Sequence, residues 1–386
     1  MTETVETELV RTLTELVAVD STSRLPNAPM IQRLEHGLTE AGFVCVRQHY
    51  RDDAGVEKVN LVARNAVHVS GVFLQAPAEI ALVGHTDCVP YDPEWTDALV
   101  LTRRGDKLYG RGACDTKAFI ACALVAARRT QAARFPRPVS LLFTADEEVG
   151  CVGAKQLVRE KLGAARYAIV GEPTSLQPIR AHKGYCLAEV EVFGTEGHSA
   201  YPEQGASAVF RAARLLQRLE SWALGALREE NDARFEPSYT SLNVGLISGG
   251  KAKNIIPGRC TFTLEWRPIP NQPVRYVLDA MERLIAEEQA RDGDFRAAVH
   301  GRRLDRGVDT AEGSALVKFL ADASGKAPGT VSFGTEAPQL TELGAEAVVF
   351  GPGDIKVAHR TGEFVPLDEL VQAEAILEAA LKHFAG

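Results

Sequence analysis

Five short polar clusters in this 386-residue chain carry residue types that bind metal ions. They read Gly84-His85-Thr86-Asp87, Gly110-Arg111-Gly112-Ala113-Cys114-Asp115, Asp146-Glu147-Glu148-Val149-Gly150, Gly171-Glu172-Pro173-Thr174 and Ala358-His359-Arg360-Thr361-Gly362-Glu363. Singly, each has an ordinary reading, as a loop histidine or a solvated helix start. Their joint occurrence is what carries weight. Nitrogen and carboxylate donors without thiolate suit Zn²⁺, with Co²⁺ or Mn²⁺ as alternatives. The charges balance for two such ions. Asp115, Glu148 and Glu172 supply three negative charges and a bridging hydroxide the fourth, with His85 and His359 as neutral imidazole ligands. Asp87 stands two residues after His85, where it can accept the other ring N–H and fix the tautomer. Glu147 is left beside a ligand with no ion of its own to neutralise, the position a general base needs. The chemistry predicted is attack by a metal-activated water, with Glu147 as base, at a two-metal centre.

Ligands drawn from separated segments need a scaffold that gathers strand ends. Residues 5–18 and 29–41 carry apolar positions at helical spacing, and short apolar runs follow at 60–63, 79–83, 139–144 and 167–170. Continuous apolar runs separated by helices predict a mainly parallel sheet buried on both faces. Four of the five clusters follow such a run or open the next helix, which is the rim where open α/β sheets bind ligands. The middle third changes character. A more clearly alternating strand at 186–193 precedes a helix at 207–221, strands at 240–247 and 260–267, a helix at 274–288 and a strand at 295–300. That is a β-α-β-β-α-β order. The chain then returns to α/β style, with a helix at 315–324, a strand ending at Phe333, a strand at 347–350 and a helix at 367–384. The predicted fold is an α/β catalytic domain with a mixed, mainly parallel sheet. It is formed by 1–182 and 305–386, with a ferredoxin-like α+β domain inserted at 183–304.

The ordered clusters resemble those of the M20 family of metallopeptidases and deacylases, and most closely its acetylornithine deacetylase branch. The resemblance covers nearly the whole chain. It implies that Asp115 bridges two metals, that His85 and Glu172 bind one, and that Glu148 and His359 bind the other. Glu147 is then the base. Gly197-His198-Ser199-Ala200 resembles the family's Gly-His motif, which implies that His198 completes the active site across a homodimer formed by the inserted domain. The segments Lys253-Asn254-Ile255-Ile256-Pro257 and Glu265-Trp266-Arg267-Pro268 resemble those that hold the substrate carboxylate, which implies that role for Asn254 and Arg267. Phe333-Gly334-Thr335-Glu336-Ala337-Pro338 resembles the deacetylase branch in particular. Glu336, after a predicted strand, is expected on the metal rim, pairing with a substrate ammonium. The implied substrate is a small N-acyl amino acid, with N-acetylornithine leading. N-acetylcitrulline, succinyl-diaminopimelate and dipeptides are rivals, as is a binding protein without catalysis. The chain departs from the family pattern at Ala118, where glycine is usual, and at Thr361-Gly362, where a Pro-Asp pair is usual.

Composition narrows the field further. A net charge of −8 argues against a nucleic-acid partner, since phosphate neutralisation needs a basic surface. No run of ~18 apolar residues predicts a membrane span. The first residues, acidic and amphipathic, do not read as a secretory signal. Seven scattered cysteines without a CxxC pair read as reduced thiols of a cytoplasmic protein.

Overall fold

The apolar runs read from the sequence become the centre of one sheet. The computed structural model describes residues 4–65 and 77–386, and the chain divides into two compact units. The first unit comprises Met1–Arg180, Thr310–Gly329 and Thr335–Gly386; the second comprises Ala181–Asp309 and Thr330–Gly334.

In the first unit the strand order begins Phe43–Arg51, Glu57–Asn65, Val139–Thr144, Ala78–His85, Ala165–Val170 and Glu346–Val349. The last four run parallel, and the first two are antiparallel to their neighbours. Every residue of Val139–Thr144 is buried, which is why its sequence shows no alternation. Ile80 and Leu82 pack on one side of the sheet with the helix Lys117–Arg129, whose first eleven residues are all buried. A helix covered on all sides needs apolar residues all round, and here alanine and cysteine supply the small ones. The closing helix Leu367–Ala385 and the opening helix Val5–Val17 pack on it. Leu9, Leu13 and Leu16 form the buried stripe of the opening helix, and Thr4 caps it by accepting the Thr7 N–H at 3.2 Å.

Two features of this unit were not predicted. The strands Phe43–Arg51 and Glu57–Asn65 form a long antiparallel pair of which only 60–63 was legible. Their polar residues, including the buried Lys58, Asn60 and Arg64, mask the apolar signal. A small sheet of Phe364–Pro366, Lys107–Tyr109 and Thr102–Arg104 is too short to show a period. The strand expected to end at Phe333 is observed at Gly329–Val331.

The second unit holds an antiparallel sheet in the order Ser241–Gly249, Arg259–Arg267, Tyr185–Phe193, Arg296–Asp305. In chain order that is second, third, first, fourth, the ferredoxin-like arrangement. The helices Ala208–Leu224 and Tyr276–Arg291 share a core with one face of the sheet. Alternation is clear here: Cys186, Ala188, Val190 and Val192 are buried, as are Cys260, Phe262, Leu264 and Trp266, while their neighbours are not. A bulge interrupts the edge strand between Val244 and Leu246. Among the described residues no helix is long and apolar enough to cross a membrane.

Candidate metal centre

Three parallel strands deliver their carboxyl ends to one edge of the first unit's sheet. Ala78–His85 ends in His85, Val139–Thr144 leads to Glu147 and Glu148, and Ala165–Val170 leads to Glu172. Gly171 lets that last loop pass against the Phe119 ring, since a Cβ there would lie 2.1 Å from a ring carbon. Asp115 sits before the helix Lys117–Arg129, and its peptide bond to Thr116 is cis. His359 precedes the strand Phe364–Pro366 and has φ +58°.

These side chains converge as two sets. His85, Asp115 and Glu172 present ligand atoms within 4.8 Å of one another, and so do Asp115, Glu148 and His359. Asp115 belongs to both. Its Oδ1 lies 3.0 Å from His85 Nε2, and its Oδ2 lies 3.2 Å from His359 Nε2. Glu148 Oε1 is 3.1 Å from the same His359 nitrogen. A carboxylate with one oxygen aimed at each half is the arrangement a bridging ligand needs.

Electrostatics support the fit to cations. Burial pushes Glu172 well above the usual carboxylate range, and the charges of Asp115 and Glu147 add to it. Burial likewise raises Glu147 to about 8, reinforced by Glu148, Asp87 and Asp115. His359 rises to about 10 through its hydrogen bonds to Asp115 and Glu148. Burial opposes charge on His85, but Asp115, Glu147 and Glu172 outweigh it and hold the imidazole well above its ordinary value. Asp115 is held low by the two imidazoles despite its burial. Carboxylates pressed together out of water are stabilised by a strong counter-charge, and this oxygen and nitrogen donor set suits a divalent cation. A dinuclear metal-binding site is therefore present.

The surrounding contacts fix the ligands. His85 Nδ1 meets the backbone carbonyl of Asp87 at 3.0 Å, which places the proton on Nδ1 and leaves Nε2 free to ligate. This corrects the expectation for Asp87: its carboxylate comes no nearer the ring than 3.7 Å. Instead it accepts the backbone N–H groups of Glu147 at 3.1 Å and Glu148 at 3.3 Å, and the Ser23 hydroxyl at 2.8 Å. Carbonyl and carboxylate of one residue thus position opposite sides of the centre.

Glu363 is the main residue that sequence reasoning missed. It is 1% exposed and accepts from Arg111 Nη1 at 2.6 Å and from the N–H groups of Gly112, Cys114 and Asp115 at 3.0, 2.8 and 3.0 Å. One carboxylate therefore ties down the loop that carries Asp115. The Gly-Arg-Gly pattern held a signal, since a buried arginine requires a partner. Cys151 is buried with its Sγ 3.4 Å from Glu147 Oε1.

Residues 81–383 match the peptidase family M20/M25/M40. The chain belongs to the M20 peptidase family. It is 60% identical, over 97% of both chains, to an acetylornithine deacetylase of Myxococcus xanthus. It is 30% identical to an acetylornithine deacetylase of Proteus mirabilis over 95% of this chain and 92% of that one. Its fold resembles a tripeptidase of Staphylococcus aureus, with a TM-score of 0.75 at 22% identity over 97% of each chain. An M20 metallo-carboxypeptidase of Sulfolobus solfataricus gives a TM-score of 0.73 at 19% identity, over 98% of this chain and 99% of that one. M20 membership and the two ligand sets make the chain a metal-dependent amidohydrolase.

Three of the sequence-predicted residues lie in the second unit. His198 is exposed, in the two-residue strand Gly197–His198 that pairs with Ile255–Ile256. The Ser199 N–H donates to the Asn254 carbonyl at 3.1 Å, so His198 and Asn254 are brought side by side from motifs far apart in sequence. Arg267 lies over the Tyr185 ring at 3.7 Å and donates through Nε to Glu265 at 2.8 Å. Glu336 belongs to the first unit and is 1% exposed. Its Oε2 accepts the Thr144 hydroxyl at 2.7 Å, while Oε1 has no hydrogen-bond partner among the described residues. Burial raises its carboxyl to about 7. The turn into the helix Ala337–Glu342 packs inward, with Thr335 and Ala337 also buried, and sets Glu336 against Thr144, the last residue of the strand Val139–Thr144.

Proposed function

We propose that this chain is an acetylornithine deacetylase, removing the acetyl group from N-acetylornithine in arginine biosynthesis. The observation that carries the reading is the 60% identity, over 97% of both chains, to the Myxococcus xanthus deacetylase. The buried pair of ligand sets sharing Asp115 supports the chemistry.

His85, Asp115 and Glu172 would hold one ion and Asp115, Glu148 and His359 the other, with Zn²⁺ the ion the donor set favours. When bound, two such ions polarise a carbonyl and lower the pKa of a water molecule. Glu147 takes a proton from the attacking water, holds it on a carboxylate oxygen and delivers it to the departing amine nitrogen. General acid–base help of this kind contributes roughly 10²–10⁴ in rate. Asp87 positions Glu147 through its backbone N–H. Asn254 and Arg267 hold the substrate α-carboxylate; because Arg267 Nε is engaged by Glu265, the grip falls to its Nη atoms. Glu336 offers Oε1 to the ornithine ammonium. The inserted segment 183–304 acts as the dimerisation and lid domain, and His198 of the partner subunit stabilises the oxyanion.

The homodimer reading is supported by apolar residues that the second unit leaves in water. Phe210 and Leu224 on one helix are 72% and 59% exposed, and Leu246 and Ile247 on the edge strand 71% and 57%. An open edge with apolar side chains favours pairing with another chain. A cytoplasmic location is supported by the seven free cysteines.

A substrate panel on zinc-loaded enzyme tests the assignment. N-acetylornithine should exceed N-acetylcitrulline, N-acetylmethionine and N-succinyl-diaminopimelate in kcat/KM by more than about tenfold, the discrimination expected of one well-paired charge. A higher value for any of the other three overturns the substrate.

A further inference from the structure

The strand Glu57–Asn65 turns Val59, Leu61 and Ala63 into the apolar core, yet its intervening positions hold Lys58, Asn60 and Arg64, all buried. Burying a lysine without function is costly, so its contacts matter. Lys58 Nζ lies 2.9 Å from Asp146 Oδ1 and donates to the carbonyls of Ser23 and, at 2.9 Å, Leu25. Asp146 directly precedes Glu147 and has φ +58°, left-handed for a residue with a side chain. Such a backbone persists only where its surroundings hold it. Here Tyr50 supplies a second hold, its hydroxyl donating to Asp146 Oδ2 at 2.8 Å. Asn60 clamps the same turn by accepting the Ala145 N–H at 3.0 Å and donating to the Gly153 carbonyl at 2.8 Å.

Lys58 also reaches the other side of Glu147. Its acceptor Ser23 donates a hydroxyl to Asp87, whose carboxylate in turn receives the N–H groups of Glu147 and Glu148. The base is thus flanked by two supports, Asp146 before it and Asp87 beneath its amide, and one ammonium touches both lines.

We propose that Lys58, Asp146 and Tyr50 are positioning residues that set the backbone from which Glu147 meets the attacking water. This rests on the assignment of Glu147 as the base. Among the described residues none of the three makes a side-chain hydrogen bond or ion pair to a metal ligand, and their effect passes through the turn.

Tyr50→Phe gives the cleanest test, because it deletes one hydroxyl from a partly buried ring. Two quantities are read: kcat and KM of the zinc-loaded enzyme, and amide hydrogen exchange of residues 145–150 in metal-free protein. The expected result is a kcat lower by about fivefold with KM changed less than about twofold, the size of one hydrogen bond. Exchange in 145–150 should rise by a similar factor while the melting temperature stays put. Removing the ion pair as a unit, Lys58→Met with Asp146→Asn, avoids an unpaired buried charge. It should cost on the order of 10² in kcat with two ions still bound per chain. If Tyr50→Phe leaves either kcat or the exchange rate unchanged, the proposal fails, whether or not the double variant folds. Glu147→Gln serves as the control: full activity there would sink the base assignment instead.

Discussion

Replacing Glu363 with glutamine should destabilise the metal-free protein severely. The native carboxylate divides its work: Oε1 accepts the Cys114 and Asp115 N–H groups, and Oε2 accepts Arg111 Nη1 and the Gly112 N–H. An amide keeps one oxygen. Its NH₂ must then face two donors, so a charge-assisted bond and a neutral bond are lost together. Arg111 is 2% exposed, so its guanidinium is left without a counter-charge out of water. A charged hydrogen bond contributes about 1.5–3 kcal/mol and a neutral one about 1, and stranding the buried arginine brings the expected loss to about 4 kcal/mol. Urea unfolding in the presence of a chelator isolates this effect from metal binding. Metal affinity should fall as well, because the loop that loosens carries the shared ligand Asp115. A loss below about 1 kcal/mol would show that water or a shifted side chain satisfies the loop, and would refute the reasoning.

Other expected outcomes are as specific. Glu147→Gln should abolish turnover while two ions per chain still bind, measured by metal analysis of the loaded protein; turnover near the native value would remove Glu147 from the mechanism. Glu336→Gln should reduce kcat/KM for N-acetylornithine far more than for N-acetylmethionine, and equal losses would assign Glu336 a structural role only. Mixing inactive His198→Ala with inactive Glu147→Gln should recover about a quarter of native activity if subunits exchange at random, whereas an active monomer excludes sharing. Glu374, 2% exposed with no hydrogen-bond partner for Oε1 among the described residues, is raised to about 7 by burial, with Glu378 and Glu8 adding. The folded chain therefore retains a proton that the unfolded chain releases between pH 4.5 and about 7, and stability falls as pH rises through that window. Glu374→Gln should flatten this decline and stabilise the protein at pH 8 by at most about 3 kcal/mol; a destabilised variant at pH 8 contradicts the assignment.

The sequence showed three of the five ligands because they lie at or just beyond the end of a strand whose apolar run is legible, and the carboxyl ends of parallel strands share an edge. His85, Glu148 and Glu172 follow that rule. Their supports do not. Glu363 meets its loop across about 250 residues of chain, and no local period reports such a contact. Lys58 and Asn60 lie within an otherwise apolar strand, and a hydrophobic pattern does not report which partners a buried polar residue finds. Asp87 was placed beside the right residue, but spacing alone could not say whether its carbonyl or its carboxylate would face the ring. Glu336 was expected on the metal rim from its strand–helix junction, but its burial beside Thr144, with Thr335 and Ala337 packed inward, was not legible in the local sequence.

The helix Lys117–Arg129 is covered by a segment from the far end of the chain. A ribosome emits its sequence well before that of the helix Leu367–Ala385. Roughly 240 residues separate them, which at ordinary translation speed amounts to on the order of 10–50 s. During that interval the apolar surface that becomes the heart of the first unit lacks its lid of leucines. The unit cannot finish before the whole inserted segment has been made, so the second unit has time to fold first. A nascent chain halted before residue 367 should therefore show a protease-resistant second unit, an accessible Cys122 and dependence on a holdase, all of which vanish once the closing helix has left the exit tunnel.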